Sequence, residues 1–381
     1  MKSSRRQFAK GCLQIIGTST ALSMIGGCVP GAMHKGPKLL SARTDAAGRH
    51  YVGAYSTDGS ALIDIQVSER AHGLACNPIN QAQCIFFARR PGSQLHLLDI
   101  MARDHLRSVE SSAGRHFYGH GCFSADGNWL YTTENDYENG LGVIGVRNAS
   151  TLELVEEYSS YGIGPHEVHM MPDQNILVVA NGGILTHPSE PRKPLNISTM
   201  QPSLAYIDLD NGQLLGSYRL PYSQLGIRHI DISSEGRVAI ATQIEAEAEL
   251  PYGVQNLPLL ATHRGEDQLQ LFPAESYSWN RLRDYCGSVA FGKVKAHKDL
   301  GAITSPRGGR LAIFDFSSQQ LVADFSALDV CGVSYSEEMN GFLASTGTGS
   351  IYLVDVSSPK PAMHKLVTKP GLHWDNHLVV I

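Results

Sequence analysis

Short apolar runs separated by polar turns recur along the chain from Arg49 onward, without a helical period of useful length. One group of runs is typical. Residues 120–124 and 129–133 read as two strands joined by a turn of the Asp-Gly kind, and residues 141–146 and 152–158 read as a third and a fourth strand. The pattern predicts an all-β protein.

The four-strand unit recurs at intervals of about 45 to 60 residues, with further clear copies at residues 168–220 and 333–368. Each unit opens with a polar residue before its first apolar strand. The openings are His72, His120, His166, His229, Ser288, Cys331 and His377. Repeats of four short strands are typical of β-propeller blades.

The two ends of the chain complement each other. Residues 377–381 read as an opening strand with nothing after it, whereas residues 51–55 and 61–67 read as later strands with nothing before them. Joined, they predict a seven-bladed β-propeller whose last blade is closed by strands from both termini, which leaves no open edge strands. Two β-sandwiches, the alternative, explain neither the period nor the orphan strand.

The first 27 residues predict an export signal. Arg5 and Arg6 precede Phe8, Lys10 and a short apolar run, as in twin-arginine signals, which carry folded proteins to the periplasm. The apolar run is too short for a membrane span, which needs about 20 apolar residues. We therefore expect a periplasmic protein.

A lipid anchor is one expected outcome of processing. Residues 25–28 resemble a lipobox that ends at Cys28, and cleavage near Ala32 is the alternative. Lipidation of Cys28 would be the only membrane attachment. Residues 28–48, rich in Gly, Pro and Ala, would then be a linker, and residues 49–381 the propeller.

Charge and cysteine content limit the partners. Four of the 31 basic residues lie before Cys28, so the mature chain has 27 basic against 36 acidic residues, a formal net charge of −9. This balance argues against nucleic-acid binding, and no motif indicates a nucleotide cofactor. Five cysteines follow Cys28, so at most two disulfides can form; Cys76 and Cys84 could bridge one hairpin.

Propeller geometry predicts where the opening residues lie. Because the first strand of each blade lines the central channel, the opening histidines should share one mouth of that channel. Imidazole is the commonest ligand for Fe, Cu and Zn. We therefore predict a transition-metal site, with Fe or Cu favoured over Zn, at the following histidines: His72, His120, His166, His229 and His377.

Other residues are expected around this site. Glu134, Glu167 and Asp375 could orient the rings, and Cys331 could add a soft ligand. The loops that follow second strands should bring further polar side chains to the mouth, and two long connections, residues 181–202 and 244–267, should overhang it. Their contributions include Arg89, Arg90, Asn181, Gln243, His263, Arg264 and Arg307.

A structural interpretation of the same residues stays open. In other propellers, a Gly-His pair before the first strand, like Gly119 and His120 here, ties neighbouring blades together. Glu134 and Asn181 are also common turn residues, and Arg307 precedes two glycines, as in a tight turn. Packed and satisfied histidines would not be ligands.

Several strings, in order, resemble the domain of unknown function 1513 family: Tyr118-Gly-His-Gly, Tyr131-Thr-Thr-Glu-Asn-Asp-Tyr, Gly162-Ile-Gly-Pro-His-Glu-Val, Val179-Ala-Asn-Gly-Gly-Ile, Ile227-Arg-His, Thr304-Ser-Pro-Arg-Gly-Gly and Trp374-Asp-Asn-His. The resemblance covers nearly the whole chain after the signal. It implies a twin-arginine-exported, seven-bladed propeller. Relatives often lie beside genes for imelysin-type proteins and di-haem oxidoreductases, which implies a part in iron acquisition among envelope proteins.

Three classes of function follow. The histidines favour a non-enzymic, periplasmic or membrane-anchored metal-handling propeller that assists iron uptake. The alternatives are an interaction scaffold for envelope proteins, and a metal-dependent oxidase or lactonase-like enzyme that uses the same mouth. No specific catalytic motif supports the enzyme.

Overall fold

The structure, a computed structural model, describes residues 36–190, 193–245, 248–293, 295–297 and 299–381. The expected export signal at residues 1–27 and the lipobox cysteine, Cys28, lie outside the described residues. Within the described residues, no helix has the length and apolarity that a membrane crossing requires.

In the described residues, 29 strands form seven antiparallel sheets around a central channel. The chain begins with β1 (Leu39–Asp45), β2 (His50–Tyr55) and β3 (Ala61–Val67). Blade 1 contains β4 (Ala71–Cys76), β5 (Gln83–Ala88), β6 (Gln94–Asp99) and β7 (Asp104–Glu110). Blade 2 contains β8 (Arg115–Phe123), β9 (Trp129–Asp136), β10 (Leu141–Asn148) and β11 (Leu154–Ser159). Blade 3 contains β12 (Pro165–Met170), β13 (Ile176–Asn181), β14 (Ser203–Asp208) and β15 (Leu214–Tyr218).

The next three blades have the same order from the channel outward. Blade 4 contains β16 (Leu225–Ile232), β17 (Val238–Ile244), β18 (Leu260–His263) and β19 (Gln270–Leu271). Blade 5 contains β20 (Ser288–Phe291), β21 (Leu300–Ser305), β22 (Arg310–Asp315) and β23 (Gln320–Ser326). Blade 6 contains β24 (Val330–Ser336), β25 (Gly341–Thr346), β26 (Ser350–Asp355) and β27 (Ala362–Thr368). Short 3₁₀ turns occur at Ile197–Thr199, Ala274–Ser276, Trp279–Leu282 and Lys295–His297.

Blade 7 joins both ends of the described chain. Its inner strand is split into β28 (Leu372–Trp374) and β29 (Val379–Val380), and both halves pair antiparallel with β1. The strands β2 and β3 then complete the blade on its outer side. The predicted seven-bladed fold, closed by strands from both termini, is thus confirmed.

One boundary differs from the sequence-based expectation. β1, Leu39–Asp45, lies within residues 28–48, which were expected to be a linker. The strand is part of the folded domain, because it pairs with β2 on one side and with β28 and β29 on the other. The propeller therefore begins before Arg49.

The core lies between neighbouring blades, which explains why second strands read as continuous apolar runs. In β5, Phe86 packs toward blade 7 beside Val52, whereas Phe87 packs toward blade 2 beside Phe117. Because successive side chains of a strand point to opposite faces, a sheet that is covered on both faces needs apolar residues at every position.

The five cysteines of the described part of the chain are present as free thiols. Cys76 and Cys84 are directly opposite each other on β4 and β5, so the hairpin pairing considered from the sequence brings them together. Contact with Cys76, together with burial, raises the pKa of the Cys84 thiol, which favours its protonated form.

We expect replacement of Trp374 by alanine to destabilise the closing blade. Trp374 is only 4% exposed, and its ring meets that of Tyr55 edge-on at 4.7 Å. Deleting a buried aromatic side chain costs about 3–5 kcal/mol. Urea titration would measure the loss in the free energy of unfolding.

Trp129→Ala is the matched control, because Trp129 is 37% exposed at the start of β9. It should cost about 1 kcal/mol or less. Equal losses for both variants would contradict the role given to the closing blade.

Candidate metal centre

The inner strands of the propeller carry an irregularity where each opening histidine lies. The pairing between first and second strands shifts between Ala71 and Leu74 in blade 1, and between Phe117 and Gly121 in blade 2. Similar shifts occur beside His166 and His229. β-bulges bend a strand and re-aim its side chains, and here they direct imidazoles into the channel.

The other three inner strands differ from one another. In blade 6 the pairing also shifts, between Val330 and Val333, beside the opening residue Cys331. In blade 7 the inner strand is broken between β28 and β29, and His377 lies in the break. In blade 5 the pairing of β20 with β21 is regular, and its opening residue is Ser288. A serine at the one regular inner strand leaves a gap in the series of histidines, so no complete ring of imidazoles forms.

The five histidines meet, as their positions on the ring of blades predict. We call them the histidine cluster: His72, His120, His166, His229 and His377. Neighbouring ring centroids lie 4.5 to 6.3 Å apart. Two triads place one ligand atom of each residue within 4.8 Å of the others: His72, His120 and His166, and His120, His229 and His377. His120 belongs to both triads.

Glycines allow this close approach. A Cβ atom on Gly73 would lie 2.4 Å from the carbonyl oxygen of Gly119 and 2.8 Å from Nδ1 of His120. Gly119 has φ +105°, and a Cβ there would lie 2.9 Å from Cδ2 of His72. Glycine is therefore required at both positions for the rings of His72 and His120 to meet.

Glu167 fixes the histidines of three blades. Its carboxylate lies 3.1 Å from Nδ1 of His229, 3.3 Å from Nδ1 of His120 and 3.5 Å from Nε2 of His169. The backbone N–H of Ile230 also donates to it, at 2.9 Å. Burial alone would raise the pKa of Glu167, but His120 and the hydrogen bonds from neighbouring rings lower it well below its usual value.

Asp375 does the same for His72. Its Oδ1 lies 2.8 Å from Nδ1 of His72, and its Oδ2 accepts a hydrogen bond from Nε of Arg70 at 2.6 Å. Although burial opposes it, the contact with His72 and the nearby arginines lower the pKa of Asp375. Both acids are therefore ionised and accept hydrogen bonds from Nδ1–H groups, so that in His72, His120 and His229 the lone pair is on Nε2.

Most of the histidine cluster is neutral. Burial lowers the pKa of His72 to about 3 and lowers those of His166, His229 and His377 as well. Neutral imidazole is the form that binds metal.

Two buried nitrogen atoms in the cluster have no hydrogen-bond partner among the described residues: Nε2 of His120 and Nδ1 of His166. In addition, Nε2 of His377 lies 3.3 Å from Nε2 of His72. An unpaired buried polar atom costs about 1–3 kcal/mol. A metal ion would satisfy such atoms, because each would donate its lone pair.

The histidine cluster lies between two cavities. The larger, of about 420 Å³, we call the arginine cavity; it is lined by His72, His166, Arg89, Arg90, Tyr118, Arg228, Gln243, Glu245, Tyr285, Pro306, Arg307 and Asn376. The smaller, of about 160 Å³, contains His120, Glu167, His169 and His377 in its wall. The cluster is thus reachable from both sides.

Four residues that the sequence predicted at the mouth line the arginine cavity: Arg89, Arg90, Gln243 and Arg307. Glu134 instead is fully buried within blade 2 and bonds Nη2 of Arg147 at 2.7 Å. The prediction that it orients the rings is wrong, since its carboxylate is held by that arginine.

Two further expectations, for Asn181 and Cys331, are also corrected. Asn181 is buried and donates to the carbonyl of Ser160 at 2.8 Å rather than facing the channel. The thiol of Cys331 faces the carbonyl oxygens of Ser345 and Trp374, at 3.5 and 3.8 Å, and burial raises its pKa to about 12. Cys331 belongs to neither of the two triads of possible ligands.

His263 and Arg264 do not overhang the mouth. His263 ends the third strand, β18, where it pairs with Val238 at the start of β17. That end is opposite the end of β17 that reaches the mouth. His263 bonds the hydroxyl of Tyr206 at 2.5 Å and, with Arg264, lines a separate cavity.

Sequence reasoning missed several residues around the cluster: Arg70, Tyr118, His169, Arg228, Glu245, Tyr285 and Asn376. The sequence did contain a signal for Arg228 and Asn376, because each directly precedes an opening histidine. Tyr285 had none, since it follows a 3₁₀ turn between two blades.

Comparison with known proteins agrees with this architecture. The chain matches a solved structure titled Kuenenia stuttgartiensis Hydrazine Synthase with a TM-score of 0.59 and 13% sequence identity, over 85% of this chain and 94% of that one. At that identity the likeness shows the fold alone. No curated protein matches the chain.

A family profile, described as "Protein of unknown function (DUF1513)", matches residues 65–381. This range includes every residue of the histidine cluster together with Glu167 and Asp375. Since the match covers most of the chain, the protein belongs to the DUF1513 family.

Proposed function

We propose that the protein binds a transition-metal ion at the histidine cluster and works as a periplasmic metal-handling propeller in iron acquisition. One observation carries the metal site: imidazoles from five blades converge, with the Nδ1 atoms of His72, His120 and His229 held by Asp375 and Glu167 and with Nε2 of His120 unsatisfied. A carboxylate behind a histidine is the usual way in which proteins orient a metal ligand.

The hydrogen bonds of Glu167 also join blades 2, 3 and 4, as the structural interpretation of the opening histidines expects. Within the histidine cluster, these bonds involve only the Nδ1 atoms of His120 and His229. A purely structural role therefore gives no reason for the unsatisfied Nε2 atom of His120, whereas a bound metal does.

Iron, copper and zinc all suit imidazole ligands. Iron is proposed because of the setting that the family resemblance implies, among envelope proteins of iron uptake. The paired Arg5 and Arg6 support export by the twin-arginine route, and the lipobox-like residues before Cys28 support an anchor in the membrane.

We expect purified, natively exported protein to hold Fe, Cu or Zn in stoichiometric amount. His120→Ala removes the ring shared by both triads and should reduce the metal content to less than about one tenth. Mass spectrometry of metal content would measure this. His364→Ala is the control, since His364 is an exposed histidine on the outer strand β27 and should leave the metal content unchanged. A wild-type protein that holds none of these metals would refute the proposal.

Glu167→Gln should weaken metal binding while leaving all five histidines in place. An amide cannot accept hydrogen bonds from several rings as a carboxylate does, so the rings lose their orientation. Loss of such a partner typically costs 10- to 100-fold in metal affinity. Competition with a chromophoric chelator would measure the change for Zn²⁺. Unchanged affinity would show that Glu167 only joins blades.

The stability of the metal-free protein should fall as pH is lowered from 6.5 to 5.0. The pKa values of His72, His166, His229 and His377 are lowered in the folded state, so in this range the unfolded chain takes up protons that the native protein does not. The stability they contribute is present above the unfolded pKa and is lost below it. Each histidine that stays neutral should contribute a loss of roughly 1.5 kcal/mol.

Urea titrations at the two pH values would test this expectation. A flat stability between pH 6.5 and 5.0 would mean that the cluster protonates in the native state. His169 acts in the opposite direction, because its pKa is raised, but the stability that it gains below pH 6.5 is smaller than the loss from one cluster histidine.

A further inference from the structure

The arginine cavity concentrates positive charge in a protein of net negative charge. Four guanidinium groups and a single carboxylate, that of Glu245, are among its lining residues. The whole chain has a formal net charge of −5. Around about 420 Å³, the guanidinium groups of Arg90, Arg228 and Arg307 face the one carboxylate of Glu245, so positive charge is in excess there.

Glu245 neutralises only part of the positive charge of these arginines. Its carboxylate bonds Nη2 of Arg228, and Nε of the same arginine is buried without a hydrogen-bond partner in the described part of the chain. Arg228 is only 7% exposed. A buried guanidinium with an unused N–H is a donor that a ligand oxygen can fill.

Arg90 has no hydrogen bond or ion pair with any described residue; its guanidinium lies 6.0 Å from the ring centre of Tyr118. Burial and the nearby Arg228 lower the pKa of Arg90 to about 10, so it is still charged at neutral pH. Its charge is therefore held in the cavity without an ion pair, since the one nearby carboxylate, that of Glu245, bonds Arg228.

The remaining lining residues add fixed donors. The guanidinium of Arg307 lies 4.8 Å from the ring centre of Tyr285, and the hydroxyl of Tyr285 accepts a hydrogen bond from the amide of Asn376 at 2.9 Å. Guanidinium groups bind carboxylate and phosphate oxygens in pairs of hydrogen bonds. The volume lies in the range of small-molecule sites, roughly 300–1,000 Å³.

We propose that the arginine cavity binds a small oxyanion with two or more negative charges, a di- or tricarboxylate or inorganic phosphate. Arg90, Arg228 and Arg307 neutralise it. Because His72 and His166 form part of the same wall, the anion also reaches the histidine cluster. Its contact with a metal there rests on the proposed function, whereas its binding to the arginines does not.

The binding test uses the metal-free protein and calorimetric titration with succinate, citrate and phosphate at low ionic strength. At least one of these should bind, and its affinity should fall with added salt. Preference for citrate and succinate would identify a carboxylate site, and preference for phosphate a phosphate site. Failure of all three to bind would overturn the proposal.

Variants distinguish anion binding in the arginine cavity from a general effect of removing one positive charge. Arg90→Gln and Arg307→Gln should each weaken binding by about tenfold or more, the size expected for losing a hydrogen bond to a charged group. Arg307 is exposed at the rim, so its variant keeps the test valid if Arg90→Gln does not fold. Arg264→Gln is the control, since Arg264 lines a different cavity. Equal weakening by all three variants would refute the site.

A metal-loaded arm distinguishes the two proposals. If succinate reaches the cluster, it should change the visible absorption of protein loaded with Co²⁺, and Arg307→Gln should reduce that change. Anion binding to metal-free protein that takes up no metal would refute the metal site and leave the anion site standing. Metal uptake without any anion binding would refute the anion site and leave the metal site standing.

Discussion

Five imidazole rings can pack in one channel only while most of them carry no charge. The ring centroids are as close as 4.5 Å, so protonation of neighbouring rings would place like charges in contact away from water. Burial keeps His72, His166, His229 and His377 neutral, and the ionised Glu167 and Asp375 hold the Nδ1 protons of the rings beside them. Burial beside two ionised carboxylates therefore keeps these rings neutral, orients them and leaves a lone pair on their Nε2 atoms.

The backbone supplies the second condition. In a regular strand, such as β5, successive side chains point alternately into the two neighbouring blade interfaces. A regular inner strand would therefore point none of its side chains into the channel. The bulges in β4, β8, β12 and β16, and the break between β28 and β29, release the histidines from that alternation. In these inner strands, some hydrogen bonds to the second strand are therefore missing beside the histidine cluster.

The sequence predicted the blades and the meeting of the histidines because both follow from strand periodicity and ring closure. It did not predict β1, Leu39–Asp45, since a single strand beside a Gly- and Pro-rich segment has no repeat to identify it. His263 was misplaced because the third strand of blade 4 begins at Leu260, inside the segment that was taken as a loop. Bulges and the packing of Tyr285 depend on tertiary contacts, so periodicity gives no sign of them.

The split inner strand of blade 7 also determines when the site can form. The hydroxyl of Ser41 donates to the carbonyl of His377 at 2.7 Å, a contact between residues that are 336 positions apart in the chain. Folding of the ring therefore cannot finish until the chain through Val380 has been synthesised, because β29 pairs with β1. Until then the channel lacks His377 and Asp375, and the half-built ring exposes two sheet edges. Assembly of the histidine cluster is for this reason a late step of folding.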